Sequence, residues 1–448
     1  MDFSVVRSSH SLVKPCEKTP TTTLELSGMD KVAVLRCNAR TLHVYKQGLS
    51  HGAASVAIRE ALSRALVAYY PLAGRLKESC QGELQVECSG EGVWFVEASA
   101  NCTLGAVDYL DDAYASPISY LDLLPNQLIP PEEANDQPLI QMQVTGFACG
   151  GFVIGMIFSH TICDGLGSAQ FLNAVGEFAR GLDKLSVIPV WCRDFFISSQ
   201  YSQPNHPITH LLPPPIPNYR LEQANVDISM DQIDKLKHEF QHSTGRRCST
   251  FEIVAAAFWR CRTRAILTTS SADTAGGQLV KFVFFANCRQ LLNPPLPKGF
   301  YGNCFFPVTI TAPKESVATA SVVEVVKLIQ EAKAELPKEF DKYRNSRIKG
   351  DLEGQLGDHD HDQEDPFFPP MSYDTLFVSE WGRLGFNDVD FGWGPPVNIV
   401  PIQGSPIIPA AIVGWQPAPN KGIRLMTWCV EEAHRQPFLA LITQRLFL

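Results

Sequence analysis

The sequence predicts an α/β protein of two domains, and three observations carry that expectation. At 448 residues the chain exceeds what one hydrophobic core usually serves. Short β-branched apolar runs alternate with segments of helical apolar period along its length. Between the halves lies a stretch dense in proline, Leu211-Leu212-Pro213-Pro214-Pro215-Ile216-Pro217 at its centre. Proline disfavours both regular states and stiffens a connection, so residues 196–220 read as a crossover linker joining domains at 1–195 and 221–448.

Taken in order, Met1 to Arg7 reads as a first strand with no apolar leader. Ala53 to Tyr70 carries Val56, Ile58, Leu62, Leu66 and Val67 at helical spacing and ends at Pro71. Leu84–Cys88 and Val93–Glu97 flank Ser89-Gly90-Glu91-Gly92 and read as a hairpin. Leu139–Phe147 and Phe152–Phe158 flank Cys149-Gly150-Gly151 and read as a second one. Gly167 to Leu182 is helical, with Phe171, Leu172, Val175 and Phe178 on one face. Ser249-Thr250-Phe251-Glu252 has capping-box spacing and opens a helix through Ile266. Val280–Ala286 is a buried strand and Ala318–Leu336 another amphipathic helix. Asp351–Asp365 is acidic and aperiodic, as a surface insertion would be.

Composition narrows the function classes. A hydrophobic content of 45% and a charged content of 19% are ordinary for a soluble globular chain. With 38 basic and 47 acidic residues the net charge is −9, which argues against nucleic acid or an anionic membrane as partner. Thirteen cysteines without CxxC pairs read as reduced thiols in the cytoplasm, with neither a disulfide framework nor a metal site. No stretch approaches 18 uninterrupted apolar residues, so membrane insertion is not expected. There is no GxSxG, Walker loop or dinucleotide fingerprint. His359 and His361 read as members of a solvated loop rather than metal ligands.

The chemistry-bearing run is Met156-Ile157-Phe158-Ser159-His160-Thr161-Ile162-Cys163-Asp164-Gly165-Leu166-Gly167. An apolar strand delivers one imidazole to a turn, and glycines follow it. A histidine placed at a strand end can accept a proton near neutral pH. Spacing alone proves little: His361 and Asp365 repeat it in a polar segment. Asp164 reads either as a carboxylate orienting His160 or as a structural group. Ser249 and Thr250, behind Arg246 and Arg247, read either as donors to a phosphate-bearing ligand at a helix start or as an ordinary cap.

His160-x-x-x-Asp164-Gly165 resembles the catalytic motif of the BAHD acyltransferases, plant enzymes that move acyl groups from coenzyme A. Asp390-Phe391-Gly392-Trp393-Gly394 resembles their second signature. Tyr70-Pro71-Leu72-Ala73-Gly74-Arg75 and Phe300-Tyr301-Gly302-Asn303-Cys304 fall in the order that family requires. The resemblance covers essentially the whole chain. It implies two chloramphenicol-acetyltransferase-like domains, each a mixed sheet flanked by helices, with a channel between them. It also implies a monomer, acyl-coenzyme A as co-substrate with no permanently bound cofactor, and an alcohol or amine acceptor.

The resemblance further implies roles. His160 acts as general base in a ternary complex, a contribution of roughly 10²–10⁴-fold. Asp164 pairs structurally with Arg289 of Asn287-Cys288-Arg289. Asp390, Gly392 and Gly394 pack backbone away from the chemistry. Trp381 stands where the family has an indole donor to the oxyanion, and Ser379 keeps the hydroxyl of the family's threonine there. Ser249 and Thr250 become candidates for coenzyme A. Cys163, inside the motif, leaves a covalent acyl-enzyme open.

Ser372 to Ser379 and Asp390 to Pro396 resemble grass hydroxycinnamoyl-CoA:monolignol transferases, with benzoyl, acetyl and taxane-directed enzymes as related alternatives. Where members that use shikimate or quinate carry an arginine, this chain has Asp365-Pro366-Phe367-Phe368, so a neutral acceptor is expected. Two other readings stay open: a decayed acyl-CoA-binding protein, and an ester hydrolase with water as acceptor.

Overall fold

Strands and helices alternate as the apolar periods require, and the strands collect into two six-stranded mixed sheets. The structure, a computed structural model, describes residues 3–47, 53–126, 137–196, 219–269, 278–349, 365–402 and 407–444. The expected linker core (197–218) and most of the acidic insertion, with His359 and His361, lie outside the described residues.

The first half supplies β1 (Val5–Val13), β2 (Thr23–Glu25), β3 (Asn38–Tyr45), α1 (Ala53–Ala68), β4 (Arg75–Glu78), β5 (Leu84–Glu87), β6 (Val93–Ala100), β7 (Ile140–Gly146), β8 (Phe152–Ser159) and α2 (Gly165–Ala179). The second supplies β9 (Glu222–Ser229), α3 (Met230–Thr244), α4 (Thr250–Thr269), β10 (Leu279–Asn287), β11 (Phe305–Pro313), α5 (Lys314–Thr319) and α6 (Val322–Lys349). It continues with β12 (Thr375–Glu380), β13 (Asn398–Ile402), β14 (Ala410–Trp415), β15 (Gly422–Val430) and α7 (Glu432–Gln444). One sheet runs β1-β6-β7-β8-β3-β13 and the other β11-β10-β12-β14-β15-β9, with β2-β5-β4 as a small satellite.

β8 explains why its sequence is apolar at every position. It is buried throughout, covered on one face by α1 and α2 and on the other by Leu123 and Leu124. Gly155 is required there, because a Cβ would lie 2.0 Å from the Leu123 carbonyl oxygen. β7 and β8 form the antiparallel hairpin, turning at Gly150 with φ 83°.

Two expectations are corrected. Leu84–Cys88 and Val93–Glu97 do not form a hairpin. β5 pairs with β2 and β4, whereas β6 pairs with β1 and β7. Gly90 and Gly92, at φ 67° and 103°, turn the chain between sheets, and buried Arg75 holds the Gly92 carbonyl. The helix expected over Ala318–Leu336 is two helices. α5 ends at Thr319, a capping box of Ser321 and Glu324 starts a new one, and α6 then runs through Pro337 to Lys349.

The halves interlock. β13, from the second half, adds to the edge of the first sheet beside β3. Tyr301, Phe386, Val389 and Phe391 complete the apolar core of the first half.

Candidate active site

β8 ends at Ser159, and the next residue, His160, is half-buried at the head of the turn leading into α2. Its amide donates to the Cys37 carbonyl at 2.8 Å, which fixes the backbone at the strand end. The ring is held by the second half: Nδ1 lies 3.1 Å from Asn303 Oδ1. Phe305 packs edge-on at 6.1 Å between ring centroids, and Phe158 lies at 6.4 Å. Beyond Phe305 stand Phe285 at 5.7 Å and Phe367 at 6.0 Å, so an aromatic wall leads away from the imidazole.

Asp164 does not touch His160. It is the N-cap of α2, accepting from the Gly167 amide at 3.0 Å. The same oxygen accepts from Arg289 Nη2 at 2.8 Å, and the other accepts from the Cys304 amide at 3.3 Å. Arg289 also donates to the Gly302 carbonyl at 2.7 Å. Burial opposes the Arg289 charge, but Asp164 more than offsets this and raises the guanidinium pKa above its ordinary value. The pair therefore ties the turn after His160 to the 302–304 segment.

A second buried ion pair was not legible in the sequence. Arg193 Nη1 lies 3.1 Å from both oxygens of Asp30, with side chains 2% and 0% exposed. Arg193 Nη2 donates to the Ile162 carbonyl at 2.8 Å, and its guanidinium stacks over Trp191 at 4.3 Å. Asp30 also accepts from Asn303 Nδ2 at 2.8 Å. The only signal in the chain was Asn303 itself, within Phe300 to Cys304; Asp30 and Arg193 sit in segments with no periodic or motif mark.

Trp381 and Ser379 follow from β12, and both are half-buried. The Trp381 amide is anchored to the Val413 carbonyl at 2.8 Å. The turn after it docks on α2: Asn173 Nδ2 donates to the Gly385 carbonyl at 3.0 Å, and a Cβ on Gly165 would meet Leu384 at 2.6 Å. Among the described residues neither the Trp381 indole N–H nor the Ser379 hydroxyl has a hydrogen-bond partner. Burial raises the neighbouring Glu380 carboxyl above its usual range, partly countered by Arg383 and Lys333.

Asp390 closes a tight turn by accepting from the amides of Gly392 at 2.7 Å and Gly394 at 2.9 Å. Both glycines need positive φ, 103° and 92°. The turn lies against the first half: Arg180 donates to the Asp390 carbonyl, and Trp393 packs edge-on against Phe152. The turn lies between the Trp381 turn and β13.

Ser249 forms the capping box with Glu252, its hydroxyl accepting from the Glu252 amide at 3.2 Å. Thr250 Oγ1 accepts from Lys237 at 2.7 Å, and Lys333 reaches Glu252 at 2.6 Å. Each hydroxyl keeps its own hydrogen to donate. Cys163 is 1% exposed, and burial, with Asp164 beside it, pushes its thiol far above the ordinary range. The site disfavours a thiolate. Among the described residues no cluster of three metal-binding side chains occurs, and no helix is long and apolar enough to cross a membrane.

A model described as "Transferase family" matches residues 3–426. Acyl transferase 4 of Oryza sativa subsp. japonica is 41% identical over 98% of both chains. The chain belongs to that family. It is an acyl-CoA-dependent acyltransferase of the BAHD type. The myricetin 3-O-glucosyl 1,2-rhamnoside 6'-O-caffeoyltransferase AT2 of Crocosmia x crocosmiiflora is 36% identical to this acyltransferase, again over 98% of each. Vinorine synthase shares its fold at a TM-score of 0.67 and 22% identity, covering 98% of both chains. The two-sheet α/β architecture is therefore the fold of that solved structure, and the enzyme's co-substrate is coenzyme A.

Proposed function

We propose that the enzyme transfers a hydroxycinnamoyl group, p-coumaroyl in particular, from coenzyme A to the hydroxyl of a neutral acceptor such as a monolignol. The observation that carries this reading is the aromatic wall at His160: Phe305, then Phe285 and Phe367. Flat aromatic substrates stack on such rings, whereas a carboxylate entering a partly desolvated passage without a cation loses several kcal/mol of hydration, roughly 2–7 by transfer scales for polar groups and more for an ion. Among the described side chains, the nearest basic residues of α6 stand beside acidic groups. Lys342 lines a cleft of about 450 Å³ with Glu335, Glu339 and Asp365, and Arg344 pairs with Asp341 at 3.2 Å. The Crocosmia relative, named for caffeoyl transfer, supports a hydroxycinnamoyl donor.

In the mechanism His160 takes the acceptor's hydroxyl proton as the oxygen attacks the thioester carbonyl. The C–O bond forms, the carbonyl becomes an oxyanion, and the C–S bond breaks as the carbonyl returns. The imidazolium then protonates the departing thiolate, restoring neutral His160. Trp381, with its unpaired indole N–H, and Ser379 steady the oxyanion; one such donor contributes about 2.7–4 kcal/mol. Ser249 and Thr250, at the start of α4 with Lys237, Arg246 and Arg247 close in sequence or space, receive coenzyme A. Transfer is direct, without a covalent acyl-enzyme, in keeping with a Cys163 thiol whose burial disfavours the thiolate.

The test is kcat/KM with p-coumaroyl-CoA against coniferyl or p-coumaryl alcohol, shikimate, and water alone. Preference for the alcohol by ~10²-fold or more is expected, since each 1.36 kcal/mol is tenfold. Comparable use of shikimate, or thiol release that needs no acceptor, would overturn it.

A further inference from the structure

The contacts around Asn303 determine which nitrogen of His160 carries the proton. Asn303 is 0% exposed. Its Nδ2 faces three acceptors: Asp30 Oδ1 at 2.8 Å, the His160 carbonyl at 2.8 Å and the Thr161 carbonyl at 3.3 Å. Neither a carboxylate nor a carbonyl has a hydrogen to offer, so only the NH₂ end of the carboxamide can face them. Asp30 is paired in this interior: Arg193 sits 3.1 Å away and Ser27 donates from both its amide at 3.0 Å and its hydroxyl at 2.7 Å. Turning the amide over would set Oδ1 against one negative charge and two carbonyl dipoles, unpaired and buried.

Oδ1 is thereby committed to His160 Nδ1, 3.1 Å away. An amide oxygen only accepts, so Nδ1 must be the donor. In a neutral imidazole one nitrogen carries the hydrogen and the other the lone pair. The lone pair is then on Nε2, which has no hydrogen-bond partner among the described residues.

We propose that Asn303 is the positioning residue that selects this tautomer, and that Asp30, two bonds removed from the imidazole, sets it by fixing the Asn303 amide. Ordinary charge-relay logic would place a carboxylate directly on Nδ1. Here the carboxylate in the motif, Asp164, is spent on Arg289, and the orienting duty passes through an amide to a carboxylate 130 residues earlier in the chain. The amide carries orientation without charge. It therefore fixes the ring without placing a carboxylate in direct contact with the imidazole. The charged groups around it, Asp30, Arg193, Asp164 and Arg289, are two opposed pairs.

This rests on His160 as the base, yet its test does not require turnover. The full chain, labelled with ¹⁵N-histidine and with the His160 signal assigned through His160→Gln, is read by two-bond ¹H–¹⁵N correlation at a pH where the ring is neutral. The wild-type ring is expected as the Nδ1–H tautomer. Asp30→Asn gives the site a second amide and lets Asn303 turn over, so this variant and Asn303→Ala should both show loss of that single tautomer. In a folded variant kcat should fall by ~10²-fold or more, as wrong-tautomer sites do, with the KM for acyl-CoA little changed. A wild-type ring protonated at Nε2, an unchanged tautomer in both variants, or a KM effect with kcat intact would each overturn the proposal. The wild-type spectrum alone decides it if a variant fails to fold. Inactivity of the wild type toward every acyl-CoA, with the Nδ1–H tautomer present, would count against the base assignment instead.

Discussion

Arg289→Met would strip the guanidinium that joins the turn after His160 to the 302–304 segment. Asp164 would keep two backbone donors, the amides of Gly167 and Cys304. Removing one partner of a buried pair costs roughly 3–5 kcal/mol, and the surviving amides put this case near ~3. Asp164→Asn loses the charge but keeps the helix cap, since asparagine caps about as well as aspartate. Its cost, again ~3 kcal/mol, reports the stranded Arg289. The double variant strands neither charge, so it should cost less than the sum of about 6 kcal/mol by a coupling of ~1–3. Urea unfolding followed by tryptophan fluorescence measures each midpoint and slope. Effects that add within ~0.3–0.5 kcal/mol would refute a functioning ion pair. Folded Asp164→Asn should also lose less turnover than any variant of His160.

Three further outcomes follow from packing and linkage. Gly167→Ala would drive a Cβ to 1.8 Å from the Tyr301 carbonyl, so it should cost at least ~3 kcal/mol and displace Asn303, lowering kcat; an unchanged unfolding midpoint contradicts the close approach. His43 is fully buried and burial lowers its pKa to about 3. The unfolded chain therefore binds a proton below pH ~6.5 that the native state refuses, and stability falls with pH from there toward 3, by ~1.4 kcal/mol per unit from this one group. His43→Leu should flatten the difference between unfolding at pH 7 and pH 5; equal slopes in both proteins would contradict it. Phe367→Arg, placed on the wall 6.0 Å beyond Phe305, should lower kcat/KM for coniferyl alcohol and raise it for shikimate, with a fall in both counting against the aromatic passage.

What the sequence made legible was local. A β8 buried on both faces reads as an unbroken apolar run, and the hydroxyl-to-glutamate spacing at Ser249 and Glu252 is visible without coordinates. What stayed hidden was long-range. β13 joins a sheet built from residues more than 200 positions earlier, and no period in Asn398–Ile402 says which sheet it will choose. The false hairpin at 84–97 has the same origin: two alternating runs around glycines satisfy the local rule, but each finds better partners in a different sheet. The Asp30–Asn303 contact joins positions 273 apart and is set by tertiary packing alone.

Single-turnover acyl transfer by His160→Ala, with excess enzyme and p-coumaroyl-CoA, most directly tests whether the imidazole carries the proton. A fall of ~10²–10⁴-fold in the transfer rate is predicted, with the unfolding midpoint and acyl-CoA binding preserved. Transfer at a near-normal rate by the folded variant would contradict it.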